Sequence, residues 1–252
     1  MALPAVLVEQ LRRAKDITVF TGAGMSAESG IPTFRDKQTG LWQRFNAEDL
    51  ATPAAFARDP TLVWGWYEWR RMKVLRAQPN AGHLAIAHMA AYARVHVITQ
   101  NVDDLHERAG SKNVVHLHGR LMHPYCQGCK QPHLLQGVPN EPEGGRRIDP
   151  PTCLHCGDRI RPGVVWFGES LPTNAWEQAQ WHAQHCDVFF CIGTSSLVQP
   201  AASLTALAGR AGVVTVQINP HDTALQSQVS ANIRAPAGVV LPELLNAAWD
   251  RD

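Results

Sequence analysis

The stretch Ile17-Thr18-Val19-Phe20-Thr21-Gly22-Ala23-Gly24-Met25-Ser26-Ala27 decides the fold. A short apolar run enters a turn of small residues, and a helical pattern follows. Three further segments repeat the plan: Val95–Thr99 before Gln100-Asn101, Val188–Ile192 before Gly193-Thr194-Ser195, and Val213–Ile218 before Asn219-Pro220. β-Branched runs without polar alternation suit strands covered on both faces, and their spacing leaves room for crossover helices. The expectation is an α/β protein with a Rossmann-like, doubly wound parallel sheet. Ligands of such sheets bind at the carboxyl ends of the strands, where all four polar turns would lie.

Two segments interrupt this rhythm. Leu41 to Gln78 is rich in Trp and Arg, and Asp59-Pro60 predicts the N-cap and first residue of a helix running to about Arg76. His123 to Pro162 carries two C-x-x-C pairs and a Pro/Gly-rich stretch, Gly137–Pro151, with little sign of regular structure. The expected organisation is a Rossmann-like body from 1–41, 81–119 and 163–252, a helical insertion at 42–80 and a zinc-binding module at 120–162.

The cysteine pairs are Cys126-x-x-Cys129 and Cys153-x-x-Cys156, with 23 residues between them. Two such knuckles bring four thiolates into a tetrahedron about 2.3 Å from a zinc ion. Redox pairs are the rival reading, and two of them flanking a Pro/Gly-rich insertion favour metal. Four thiolates fill the shell, which makes the zinc structural. The remaining cysteines are Cys186 and Cys191; the second, inside an apolar run, reads as an inert core thiol.

The 252 residues suffice for a full core, and 23 Lys+Arg against 22 Asp+Glu leave a net charge of +1. That balance excludes a protein relying on a strong field to hold nucleic acid or anionic membrane. In the cysteine segment the main basic clusters are Arg146-Arg147 and Arg159/Arg161, short of a dense stripe. The first residues, MALPAVLVEQLRRAKD, read as an amphipathic helix and not as a signal peptide. No apolar run approaches the roughly 18 residues of a membrane span. A monomeric cytoplasmic protein, free of membrane and nucleic acid, is expected.

Gly22-Ala23-Gly24-Met25-Ser26-Ala27 resembles a dinucleotide fingerprint, in which small residues let phosphates approach backbone N–H groups. An ordinary tight strand-to-helix turn explains the fragment as well. The whole set of motifs narrows this. Gly22 through Arg35, Gln100-Asn101-Val102-Asp103, His118-Gly119, the two C-x-x-C pairs, Val164-Val165-Trp166-Phe167-Gly168-Glu169, Gly193-Thr194-Ser195 and Asn219 occur in the order seen in sirtuins. The chain thus resembles the NAD-dependent protein lysine deacylases from about residue 10 to 245.

The resemblance implies an activity that consumes NAD and acyl-lysine and yields nicotinamide and O-acyl-ADP-ribose. It implies that His118 is the base taking a ribose hydroxyl proton; without the resemblance, His116, two residues earlier on the same strand face, is an equal candidate. Asn101 and Asp103 would hold the ribose and the nicotinamide carboxamide. Gly22, Ala23, Gly24, Ser26, Glu28, Thr33, Phe34, Arg35, Trp42, Gln100, Val102, Gly193, Thr194, Ser195, Asn219 and Ala237 would complete the cofactor site. Val165, Trp166, Phe167, Gly168 and Glu169 would lie along the substrate peptide, both as an added-strand partner and as a buried strand of the core, with Trp166 and Phe167 lining the lysine channel. A mono-ADP-ribosyltransferase and a non-catalytic NAD-sensing zinc protein are the alternatives.

Tyr67 and Arg70 lie three residues apart in the Trp-rich insertion and share a helix face. A phenol and a guanidinium side by side can bind one carboxylate. This Tyr-x-x-Arg matches the sirtuins that remove succinyl, malonyl and glutaryl groups, and Ala51 matches a small residue that leaves room for a longer acyl chain. The expected substrates are succinyl- and malonyl-lysine, with acetyl-lysine weaker.

Overall fold

The computed structural model describes residues 3–33, 40–142 and 145–249. In chain order, helix α1 (Ala5–Arg13) leads into strand β1 (Asp16–Thr21) and the short helix α2 (Ala23–Ala27). A 3₁₀ turn at Gly40–Arg44 precedes α3 (Ala47–Leu50), α4 (Pro53–Arg58) and α5 (Pro60–Arg76). Then follow α6 (Ala81–Met89), β2 (Arg94–Thr99), α7 (Leu105–Arg108) and β3 (Val114–His116). Strands β4 (Tyr125–Cys126) and β5 (Ile160–Arg161) form a separate antiparallel pair. The chain ends with α8 (Thr173–Gln184), β6 (Val188–Ile192), α9 (Ser203–Arg210), β7 (Val214–Ile218), β8 (Ala231–Ile233) and α10 (Ala237–Ala248).

Six strands make one parallel sheet in the order β3-β2-β1-β6-β7-β8. The chain builds outward from β1, returns to set β6 beside it, and builds the other way. The order therefore reverses between β1 and β6, and a crevice opens beyond their carboxyl ends. Both faces are covered, which is why the strands read as largely apolar, β-branched runs. Val19, Phe190, Ile192 and Val216 pack with α1, α6 and α10, while Phe20, Ile98, Phe189 and Cys191 pack with α8 and α9. Burial also pushes the Cys191 thiol up to about 11, in keeping with a core cysteine.

Helix α5 starts as expected: Asp59 caps it by accepting from Leu62 N at 3.1 Å, with Pro60 in the first turn. Its apolar residues surround the whole helix because it is wrapped on more than one side. Trp64 packs with Cys126, Cys153 and Ile160, whereas Trp66, Tyr67 and Trp69 pack with Phe56, Leu105 and Trp166. At Gly65 a Cβ would lie 2.1 Å from Arg146 O, so this mid-helix glycine admits the crossing loop. Ile148 N donates to Thr61 O, and Arg71 donates to Gly137 O, so the Gly137–Pro151 stretch straps the module to the helix.

Two expectations need correction. Val164–Glu169 is not a core strand: only Val164 bridges, to Gly119, and the chain turns at Gly168 (φ 88°) as the Glu169 carboxylate accepts from Trp166 N. Nor do His116 and His118 share a strand face, since β3 ends at His116. Phe34 and Arg35 lie outside the described residues, and of Trp42 only the backbone is described.

Candidate active site

Two glycine turns meet at the crevice. Gly22 N donates to Ile192 O at 2.9 Å, and Gly24 N to Gly193 O at 2.7 Å. A Cβ on Gly22 would sit 2.8 Å from Thr194 Cα, and one on Gly24 2.7 Å from Gly193 Cα. Gly193 itself has φ 60°, and its Cβ would lie 2.4 Å from Met25 N. No side chain fits between these backbones, so their approach alone demands small residues.

Polar groups from the neighbouring strand ends converge behind the turns. Asn101 donates to Gly22 O and to Ser26 Oγ, each at 3.0 Å, and Ser26 donates to Asp103 at 2.9 Å. Gln100 donates to Thr194 Oγ1 and Asn219 to Thr194 O, both at 3.0 Å. Asn101 and Asp103 are buried. Burial raises the Asp103 carboxyl, with hydrogen bonds from Leu105 N and Ser26 opposing it. Glu28 accepts from Gly238 N at 3.1 Å, which joins the first turn to the start of α10 and Ala237. Val102 packs instead against the helical insertion. This donor set, ranged along one crevice, has the chemistry to hold a ribose, an amide and phosphates.

The structure separates the two histidines. His116 is engaged at both ring nitrogens, Nδ1 with Asn101 O at 3.2 Å and Nε2 with Glu107 Oε1 at 2.7 Å. His118 Nδ1 lies 3.1 Å from Gln100 O. A carbonyl only accepts, so Nδ1 carries the proton and Nε2 is the basic nitrogen. Burial lowers the His118 pKa below 6.5, partly opposed by the Gln100 carbonyl.

The helical insertion supplies a second group of buried side chains. Tyr67 and Arg70 are buried at 4% and 7% exposure. The Tyr67 hydroxyl accepts from Trp166 Nε1 at 3.0 Å, and the Arg70 guanidinium lies 5.1 Å from the centre of the Trp66 ring. Burial strongly raises the Tyr67 pKa, with the charges of Arg70 and Arg161 opposing, so the phenol stays protonated. Arg70 also interacts electrostatically with Asp103, which puts the pocket beside the strand-end cluster. Ala51 is buried at the wall, its carbonyl accepting from Phe167 N at 2.9 Å. Phe167 is partly exposed, and Val165 N donates to His118 O at 2.9 Å.

Arg161 and its ties escaped the sequence reading, which grouped it with Arg159 as a basic cluster. It is buried and paired with Glu169 at 2.6 Å. Arg146 and Arg147 are likewise matched, by Glu141 at 2.8 Å and Asp59 at 2.7 Å. The only advance signal was an Arg eight residues before a Glu across an apolar run, too common to identify a pair.

The four paired cysteines converge. Cys126 and Cys156 Sγ lie 3.3 Å apart, Cys129 and Cys153 3.6 Å, and all four within 4.8 Å of one another. Zinc–sulfur bonds of about 2.3 Å in a tetrahedron imply edges near 3.8 Å, so the cluster is positioned to bind zinc. The two knuckles match: Lys130 (φ 62°) donates its N–H to Cys126 O, and Gly157 (φ 78°) donates to Cys153 O.

A doubly wound parallel α/β body with a glycine-lined crevice at its switch point, joined to a four-thiolate metal lobe, is the class that fold and site define. The sequence model of the Sir2 family matches residues 22–200, and the chain belongs to that family. It is 58% identical over 243 residues to an NAD-dependent protein deacylase of Methylococcus capsulatus, covering 96% of this chain and 95% of that protein. Over 246 residues it is 53% identical to NAD-dependent protein deacylase 1 of Pseudomonas aeruginosa, covering 96% and 98%. A solved Sir2 homologue in complex with NAD has a TM-score of 0.91 and 43% identity, covering 99% of this chain and 95% of that one. Among the described residues, no helix is long and apolar enough to cross a membrane.

Proposed function

We propose that this chain is an NAD-dependent protein-lysine deacylase that removes succinyl and malonyl groups and, more weakly, acetyl groups. NAD, acyl-lysine and water become lysine, nicotinamide and O-acyl-ADP-ribose. Membership of the Sir2 family and the names of its relatives support the deacylase reading. The acidic-acyl preference rests on one observation: Tyr67 and Arg70 are buried side by side in α5, with the guanidinium near Asp103.

The chemistry that NAD would supply when bound is an activated bond between ribose C1′ and nicotinamide. Gly22 and Gly24 keep the crevice floor low enough for phosphates to meet backbone N–H groups. Asn101 and Asp103, already oriented by Ser26, hold the carboxamide and ribose. His118 Nε2 takes the ribose hydroxyl proton; its lowered pKa keeps the ring neutral near pH 7, the form a base requires. Arg70 and the Tyr67 hydroxyl donate to the distal carboxylate of the acyl group, while Trp166 and Phe56 wall off water. Cys126, Cys129, Cys153 and Cys156 would hold zinc, which would supply a fixed cross-link within the lobe. The free cysteines fit a reducing compartment, and the cytoplasm is the proposed location.

Mass spectrometry of acyl-lysine peptides incubated with NAD tests the reaction. Loss of the acyl group with equimolar nicotinamide supports deacylation. Transfer of ADP-ribose to protein with the acyl group intact would contradict it.

A further inference from the structure

We infer that Arg161 is a positioning residue for acyl selectivity: it locks Trp166, and through the indole it sets the hydroxyl of Tyr67. The inference rests on the acidic-acyl reading above and names the device that tunes that pocket.

Arg161 is 6% exposed at the end of β5, and both terminal nitrogens and a face of its guanidinium are engaged, while Nε is buried without a hydrogen-bond partner. One edge grips Glu169, with Nη1 to Oε1 at 2.6 Å and Nη2 to Oε2 at 2.8 Å. Nη2 also donates to Val164 O at 3.1 Å. One face lies 3.6 Å from the centre of the Trp166 ring, and the Tyr125 ring sits 5.3 Å away. Burial raises the Glu169 carboxyl, but the hydrogen bonds from Arg161 and Trp166 N outweigh it and hold the pKa down.

The bonded chain continues toward substrate. Glu169 Oε2 accepts from Trp166 N at 2.8 Å, so the carboxylate fixes the backbone of the residue whose ring Arg161 covers. Trp166 Nε1 then donates to the Tyr67 oxygen at 3.0 Å. With that oxygen already accepting, the direction of its remaining O–H is set, and Tyr67 is left as a donor. A donor there recognises a carboxylate, and an acetyl group offers it nothing.

Only a planar fork can do this, because the same group must pair two carboxylate oxygens and stack on an indole. Lysine keeps the charge and loses both. The placement also ties selectivity to the metal lobe: in the β4–β5 pair Tyr125 lies opposite Arg161 and Cys126 opposite Ile160. A merely structural Arg161 would lower stability and slow all substrates alike, whereas a positioning Arg161 changes their ratio.

The test compares wild type, Arg161→Lys and Glu169→Gln, each checked for zinc content and thermal midpoint. The reading is the ratio of kcat/KM for succinyl- and acetyl-lysine peptides of one sequence. Arg161→Lys is expected to lower that ratio about 2- to 10-fold, the worth of one misdirected hydrogen bond, mainly through KM for the succinyl peptide. Glu169→Gln, which keeps an acceptor for Trp166 N, should lower it in the same direction. A selective wild type whose ratio survives both substitutions overturns the inference, even if both activities fall together. A wild type that treats the two peptides alike overturns the acidic-acyl reading itself.

Discussion

The sheet and the metal lobe solve the problem of holding a chain together in opposite ways. The sheet buries whole ranks of side chains on both faces, each large one contributing about 1.5–3 kcal/mol. In the lobe, the buried cluster around the thiolates is Trp64, Cys126, Cys153 and Ile160, and Trp64 comes from α5. Leu154 stands fully exposed at 102% and Leu134 at 88%. Burial organises the first region, while the second has a small buried cluster and four thiolates converging where a metal ion can sit. The proposed chemistry falls where they meet, because the segment returning from the lobe bonds to the stretch that follows β3 through Val165 N to His118 O and Arg120 N to Gly163 O.

Removing the metal breaks this comparison most severely. Structural zinc sites are worth about 10–16 kcal/mol, more than so small a cluster can replace. Cys126→Ser, or chelation, should abolish zinc binding, open residues 120–162 to limited proteolysis and stop deacylation, while the parallel sheet keeps its circular dichroism. A lobe that stays protease-resistant without zinc would show that burial suffices there too.

His118→Ala probes the junction without disturbing either region. Deacylation kcat/KM should fall about 10²- to 10⁴-fold, the usual contribution of a general base, with zinc content and thermal midpoint retained. His116→Ala should differ, because its doubly engaged ring holds Asn101 O and Glu107: it should lower stability as well as rate. Gly24→Ala tests the sheet side, where a Cβ would meet Gly193 Cα at 2.7 Å. Overpacking of this kind costs about 1–3 kcal/mol, read as a lower thermal midpoint and weaker NAD binding by calorimetry.

The smallest effect is in pH. The folded-state pKa of His118 is depressed below 6.5, so the basic form already dominates at neutrality. The kcat/KM profile should stay flat near neutrality and fall only on the acid side of pH 6.5. A midpoint above 6.5 would place another group, or a differently solvated histidine, in that role.

Legibility in the sequence followed the same division. Strands β1, β2, β6 and β7 were readable because burial on both faces leaves largely apolar, β-branched runs; β3 and β8, three residues each, are defined only by the strands beside them. Cysteine spacing announced the lobe, since tetrahedral coordination restricts where thiolates can stand along a chain. Asp59-Pro60 announced α5 because capping is local. The chain from Arg161 through Glu169 and Trp166 to Tyr67 was hidden: Trp166 and Tyr67 are 99 residues apart. Val164–Glu169 misled for a related reason, as its apolar letters suit a strand while a carboxylate at its end folds it into a turn. His116 and His118 differ in the acceptors around each ring, and residue type does not reveal them.

The central claim is that a buried phenol and guanidinium select an acidic acyl group, and one ratio tests it most directly. Succinyl- and acetyl-lysine peptides of the same sequence are compared by kcat/KM in the wild type and in the Tyr67→Phe, Arg70→Met double variant. Two hydrogen bonds to a charged group, about 1.5–3 kcal/mol each, predict a wild-type ratio well above one that falls by about 100-fold or more in the variant. A wild-type ratio at or below one, or equal loss of both activities in the variant, would contradict the account.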